Sequence, residues 1–262
     1  MDLEIEGRRA LVLASSRGLG LAIAEALAAE GANVLLCGRS AEKLRDNVEA
    51  INARGRGRAD FVAADLADAG FVDLMLETAD AKLGGIDILV NNTGGPPPGG
   101  AADLSVGVLE SQFQMMVTRV IDLSTRALPA MRQAGFGRIL TVGSSGVIQP
   151  IPNLAYSNTL RSALVGWTKS LANEVAADGV TVNMLLPGRI QTERVDELDA
   201  ANAKRTGKPV EAIREAARLS IPAQRYGEAE EFAAVAAFLV SARAGYVTGS
   251  LIRCDGGAIR SV

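Results

Sequence analysis

The apolar positions of this chain fall into short blocks of two periods, and the two kinds alternate. Ala10 to Ala14 is an apolar run too short for a helix and reads as a buried strand. Leu19, Ile23 and Leu27 then recur at helical spacing up to Gly31, a C-terminal stop. Asn33 to Cys37 predicts a second strand, and Ser40 caps a charged helix over Ala41 to Ala53. Phe61 to Leu66 predicts a third strand ending in an acid, followed by a helix that Gly84-Gly85 stops after Leu83. Ile86 to Val90 predicts a fourth, running into Asn91-Asn92-Thr93-Gly94-Gly95. Beyond the loop Pro96 to Gly100 come a helical stretch over Ser105 to Gln133, a strand at Arg138 to Val142 and a helix over Tyr156 to Ala177. A strand at Val180 to Leu185, broken by Pro187-Gly188, a helix at Glu228 to Ser241 and a strand at Leu251 to Cys254 complete the pattern. Residues 193–221 are charged, Ala-rich and weakly periodic, which fits either a substrate lid or a pair of surface helices.

Strand and helix alternating over short connections predict βαβ units and a parallel sheet covered on both faces. With no repeat, linker or second core, residues 1–262 are expected to form a single α/β domain, a Rossmann-type doubly wound sheet. Ligands bind such sheets at the carboxyl ends of the strands, where residues 15–20, 38–39, 65–66 and 91–95 would lie together. Ser15-Ser16-Arg17-Gly18-Leu19-Gly20 joins the first strand to the first helix, so free amides and the helix dipole converge where a pyrophosphate would sit. The match to G-x-G-x-x-G is incomplete, since Ile23 stands at the last glycine, and glycines in such a turn can serve packing alone. About twenty residues on, where an NAD-binding unit places an acid for the ribose 2′-hydroxyl, the chain has Arg39. Arg17 and Arg39 together suit a 2′-phosphate, which predicts NADP(H) over NAD(H); solvated surface arginines are the other reading.

Composition narrows the function further. A net charge of −3 and the lack of basic clusters interleaved with aromatics argue against nucleic acid. No apolar run reaches membrane-spanning length, and the acidic start, Met1 to Glu6, is unlike a secretion signal, so a cytoplasmic protein is expected. The chain has no histidine, which removes Ser-His-Asp hydrolysis, Cys-His chemistry and His-ligated zinc; no metal is expected. Cys37 and Cys254 lie in apolar runs and read as core residues.

Over nearly its whole length the chain resembles the short-chain dehydrogenase/reductase family. Leu13 to Gly20 resembles its T-G-x-x-x-G-x-G turn with the first Thr and Gly replaced, and Asn91-Asn92-Thr93-Gly94 its N-N-A-G. Pro187-Gly188-x-Ile190-x-Thr192 matches P-G-x-I-x-T, and Val247-Thr248-Gly249 with Asp255-Gly256-Gly257 the C-terminal signature. The resemblance implies that Asp65 and Leu66 meet the adenine, that Asn92 and Gly94 support the sheet beside the cofactor, and that Pro187, Gly188, Ile190 and Thr192 hold the nicotinamide. It implies a small carbonyl or alcohol substrate and a homotetramer packed through the long helices after the fourth and fifth strands.

The catalytic positions depart from the family. Ser144 fits the family's Ser, but Arg161 stands at its Lys and Ser157 at its Tyr, with Tyr156 one residue early. The Asn position, near Met116 or Val117, is apolar. Arg161 keeps a charge that can hold the ribose. An alkyl hydroxyl is a poor substitute for a phenol, which favours Tyr156 over Ser157 as proton donor, although Tyr156 would point about 100° away from its neighbour on a helix. These changes leave the function open between an NADP(H)-dependent oxidoreductase and a nucleotide-binding sensor or assembly protein with little turnover.

Overall fold

The computed structural model describes residues 1–261 of the 262, so only Val262 of the expected domain lies outside the described residues. Its elements are β1 (Arg9–Val12), α1 (Gly18–Ala29), β2 (Asn33–Gly38), α2 (Ala41–Ala53), β3 (Arg58–Ala63), α3 (Phe71–Leu83), β4 (Ile88–Asn91), α4 (Val106–Phe113), α5 (Arg119–Ala134), β5 (Gly137–Val142), α6 (Ala155–Val175), β6 (Val180–Pro187), α7 (Glu193–Thr206), α8 (Val210–Ser220), α9 (Ala229–Leu239) and β7 (Leu251–Cys254). The seven strands form one parallel sheet in the order β3-β2-β1-β4-β5-β6-β7. Its order reverses between β1 and β4, and Ala10 of β1 pairs with Val34 of β2 on one side and with Ile88 of β4 on the other. That switch point opens a crevice at the carboxyl edge.

The apolar runs divide by parity. Ala10 and Val12 face a core shared with Ile23, Leu27 and Phe232, from α1 and α9. Leu11 and Leu13 face the opposite core, with Phe71, Met75, Leu123 and Leu171 from α3, α5 and α6. Both sheet faces are therefore buried, which is why the strands read as continuous apolar runs. At the amino edge Arg9 ties β1 to the turn before β4, donating to Asp87 Oδ2 at 3.0 Å and Oδ1 at 2.5 Å. No helix among the described residues is long and apolar enough to cross a membrane.

Several boundaries differ from the sequence reading. β1 stops at Val12, because Ala14 turns into the left-handed region at φ +47°. β3 covers Arg58–Ala63 rather than Phe61 to Leu66, which leaves Asp65 on the loop past its carboxyl end. The long helical stretch is interrupted by a π-helical turn at Gln114–Thr118, where Met116 and Val117 are buried. Residues 193–221 form the two helices α7 and α8.

Candidate active site

A cleft of about 720 Å³ lies along the carboxyl edge of the sheet, between the glycine turn, the loop after β4, the start of α6 and the first turn of α7. The two glycines of the turn have different tasks. A Cβ on Gly20 would sit 2.4 Å from the Ala14 carbonyl oxygen and 2.9 Å from Ser15 Cα, so this glycine serves the packing of the turn and does not line the cleft. Gly18, at φ +58°, lines it, and a Cβ there would meet nothing closer than Thr192 at 3.8 Å. No side chain caps α1, so its first amides are left without a side-chain partner beside this bare floor. The cradle fits a pyrophosphate.

Ser15 is also corrected by the structure. It is buried, donates to the Val12 carbonyl at 2.7 Å and accepts from the Cys37 amide at 2.9 Å, and so stitches β1 to β2 away from the cleft. Ser16, Arg17 and Leu19 line the cleft as expected. Arg39 extends into solvent, its side chain 78% exposed and 3.9 Å from Asp65. Arg17 donates to the carboxylate of Glu193 and lies 3.5 Å from Glu197, so α7 bridges this end of the cleft. Asp65 and Leu66 line the same end; Asn92 donates to the Ala14 carbonyl at 3.1 Å and braces the turn. Gly94, Pro187, Gly188, Ile190 and Thr192 line the cleft as well, with Thr192 beside Gly18.

The catalytic positions resolve through helix geometry. Ser157 and Arg161 lie one turn apart on the cleft face of α6, and Arg161 Nη1 donates to Ser157 Oγ at 2.8 Å. Burial, with Arg194 adding like charge, lowers the Arg161 pKa to about 10. Ser144 Oγ accepts from the Gly146 amide at 3.0 Å and also lines the cleft. Tyr156 does not. Its ring is buried in the apolar cluster of Met116, Val117 and Leu160, and its hydroxyl accepts from the Ser105 amide at 2.8 Å. The expectation that Tyr156 handles the proton is therefore corrected: one residue on a helix is a turn of about 100°, and with α6 beginning at Ala155 only Ser157 faces the cleft.

Three further features were not picked out from sequence. Gln112, one turn before Met116, brings an amide to the wall where the Asn position is apolar. Arg194 donates from Nη2 to the Pro96 carbonyl at 2.9 Å and lies across Gly95, where a Cβ would come within 2.8 Å of its Nε. Arg189 pairs with the fully buried Asp199, which accepts from Tyr226 at 2.8 Å, and this cluster anchors α7 to the exit of β6.

The family model described as enoyl-(acyl carrier protein) reductase matches residues 13–258. The chain is 33% identical over 257 residues to the 3-oxoacyl-[acyl-carrier-protein] reductase FabG of Salmonella typhimurium, covering 97% of this chain and 98% of that one. It is 30% identical over 256 residues to the NADPH-dependent reductase BacG of Bacillus subtilis, covering 97% and 99%. Among solved structures it is similar to the L-sorbose reductase of Gluconobacter frateurii complexed with NADPH and L-sorbose, with a TM-score of 0.94, 31% identity and full coverage (100%) of both chains.

Proposed function

The chain belongs to the short-chain dehydrogenase/reductase family, and we propose that it is an NADP(H)-dependent oxidoreductase interconverting a small carbonyl compound and its alcohol. The observation that carries this reading is the Ser157–Arg161 pair, 2.8 Å apart and open to the same cleft as Ser144 and the glycine turn. Arg17 and Arg39 hold the 2′-phosphate, the first amides of α1 the pyrophosphate, and Asp65 and Leu66 flank the adenine. Asn92, Gly94, Pro187, Gly188, Ile190 and Thr192 shape the nicotinamide end. When bound, the nicotinamide gives or takes the hydride.

The chain's own residues handle the oxygen. Ser144 and Ser157 donate hydrogen bonds to the carbonyl oxygen and orient it. The Arg161 charge stabilises that oxygen as it becomes negative. Lowered by burial to a pKa of about 10, Arg161 comes near the acidity of an ordinary phenol, the group whose place Ser157 takes. Ser157 Oγ can then give its proton to the oxygen while taking one from Arg161 Nη1, and the reverse serves alcohol oxidation. Helices α7 and α8 act as the lid over this site, and the exposed Val106 and Phe113 on α4 support assembly into a homotetramer.

One observation favours a nucleotide-binding sensor or assembly protein instead: no phenol lines the cleft among the described residues. NADPH absorbance, followed against ketones, diketones and ketoacyl thioesters, separates the two. Turnover that is lost in Ser157→Ala is the expected result. Tight NADPH binding with no turnover of any carbonyl compound would favour the sensor.

A further inference from the structure

Two guanidinium groups of the cleft have no carboxylate to themselves. Five arginines line it (Arg17, Arg39, Arg161, Arg189 and Arg194) against two carboxylates, Asp65 and Glu193. Arg17, Arg39 and Arg189 each have a carboxylate of their own, in Glu193, Asp65 and Asp199. Arg161 makes no ion pair among the described residues, and its buried Nε has no hydrogen-bond partner. Arg194 has only Glu197, at 3.4 Å, which it shares with Arg17.

Arg194 is also held in place. Its guanidinium packs against Gly95, donates to the Pro96 carbonyl, and contributes to the wall of the cleft that Arg161 faces. Burial chiefly, and the like charge of Arg194 in addition, lower the Arg161 pKa. Two like charges facing one cleft repel each other unless an anion joins them. A carboxylate matches the planar fork of a guanidinium better than any neutral oxygen does.

We propose that Arg194, together with Arg161, binds the carboxylate of the substrate, so that the protein acts on an oxo acid and its hydroxy acid. This rests on the oxidoreductase reading above. Arg194 is the specificity residue, and it is positioned by two segments far apart in the chain, the loop after β4 and the first turn of α7. The cofactor's pyrophosphate presents the same anionic chemistry, so the test must tell the two sources apart.

Isothermal titration of the NADPH-saturated protein with butyrate and with butyramide reads the site without turnover. Wild type is expected to bind butyrate about tenfold more tightly, the weight of one charge-assisted hydrogen bond. In Arg194→Gln that preference should shrink to about twofold or less, and Arg194→Lys should keep part of it, while the Kd for NADPH changes less than about twofold in both. Equal binding of butyrate and butyramide by wild type would overturn the proposal. So would a loss of NADPH affinity in Arg194→Gln with the butyrate preference intact, which would give Arg194 to the pyrophosphate. Reduction of neutral ketones without any carboxylate preference overturns this inference and leaves the oxidoreductase reading standing. A carboxylate preference lost in Arg194→Gln, with no carbonyl compound turned over, supports the anion site and overturns the oxidoreductase reading.

Discussion

Arg17, in the turn between β1 and α1, donates to the carboxylate of Glu193 in the first turn of α7. The guanidinium assigned to the 2′-phosphate therefore already carries a counter-ion from α7. Phosphate and carboxylate compete for it, and the competition shows only with the phosphorylated cofactor.

Glu193→Gln should accordingly tighten NADPH binding by about threefold, a modest effect because both side chains are half exposed. NADH binding should not change. Arg39→Asp should weaken NADPH by more than about tenfold and NADH little, since a carboxylate there repels only the 2′-phosphate. Fluorescence titration of both nucleotides checks each variant, and equal effects on the two would remove Arg17 and Arg39 from the phosphate site.

The Tyr156 hydroxyl is spent on the Ser105 amide, so Tyr156→Phe should leave turnover within about twofold of wild type while costing about 1 kcal/mol of stability. Urea denaturation and NADPH oxidation rates measure the two effects. A hundredfold fall in rate at unchanged stability, the order expected for losing a general acid, would return the proton to Tyr156.

Ala14 sits at φ +47°, where the family pattern has glycine. An L-residue pays for that conformation, whereas glycine does not, although glycine gains freedom in the unfolded chain. Ala14→Gly should raise stability by about 0.5–1 kcal/mol, read as a higher urea midpoint at unchanged slope. A lower midpoint would mean that the Ala14 methyl group is worth more in packing than the strain it causes.

Arg161 gives the rate a pH dependence with a defined sign. Its pKa is lowered, so it keeps its proton below about pH 10 and loses it above, where an ordinary arginine stays charged. Carbonyl reduction needs the protonated form and should fall through about pH 10; alcohol oxidation needs the free base and should rise there. Initial rates after short exposure to each pH test this. A reduction rate that stays flat through pH 10 would show that Arg161 does not supply the proton.

The strand-and-helix order, the sheet's doubly wound character and the nucleotide edge were all legible in one dimension, because both sheet faces are buried and each strand leaves an unbroken apolar run. Gly18, Arg17 and Arg39 were legible too, since a turn between strand and helix brings them to one edge by short-range geometry alone. Which of Tyr156 and Ser157 faces the cleft was not. That depends on where α6 begins, and its start is held from outside, by the bridge from Leu154 to Gly99 and by Asn158 bonding Ile151 at 3.0 Å. Residues 193–221 read as lid or as surface helices, and only folding showed that Asp199 is buried against Arg189 and Tyr226 and anchors α7. Arg194 was one charge among many there. It became part of the site through Pro96, 98 residues away in the chain, and contacts at that separation leave no period in a sequence; only the packed chain decides them.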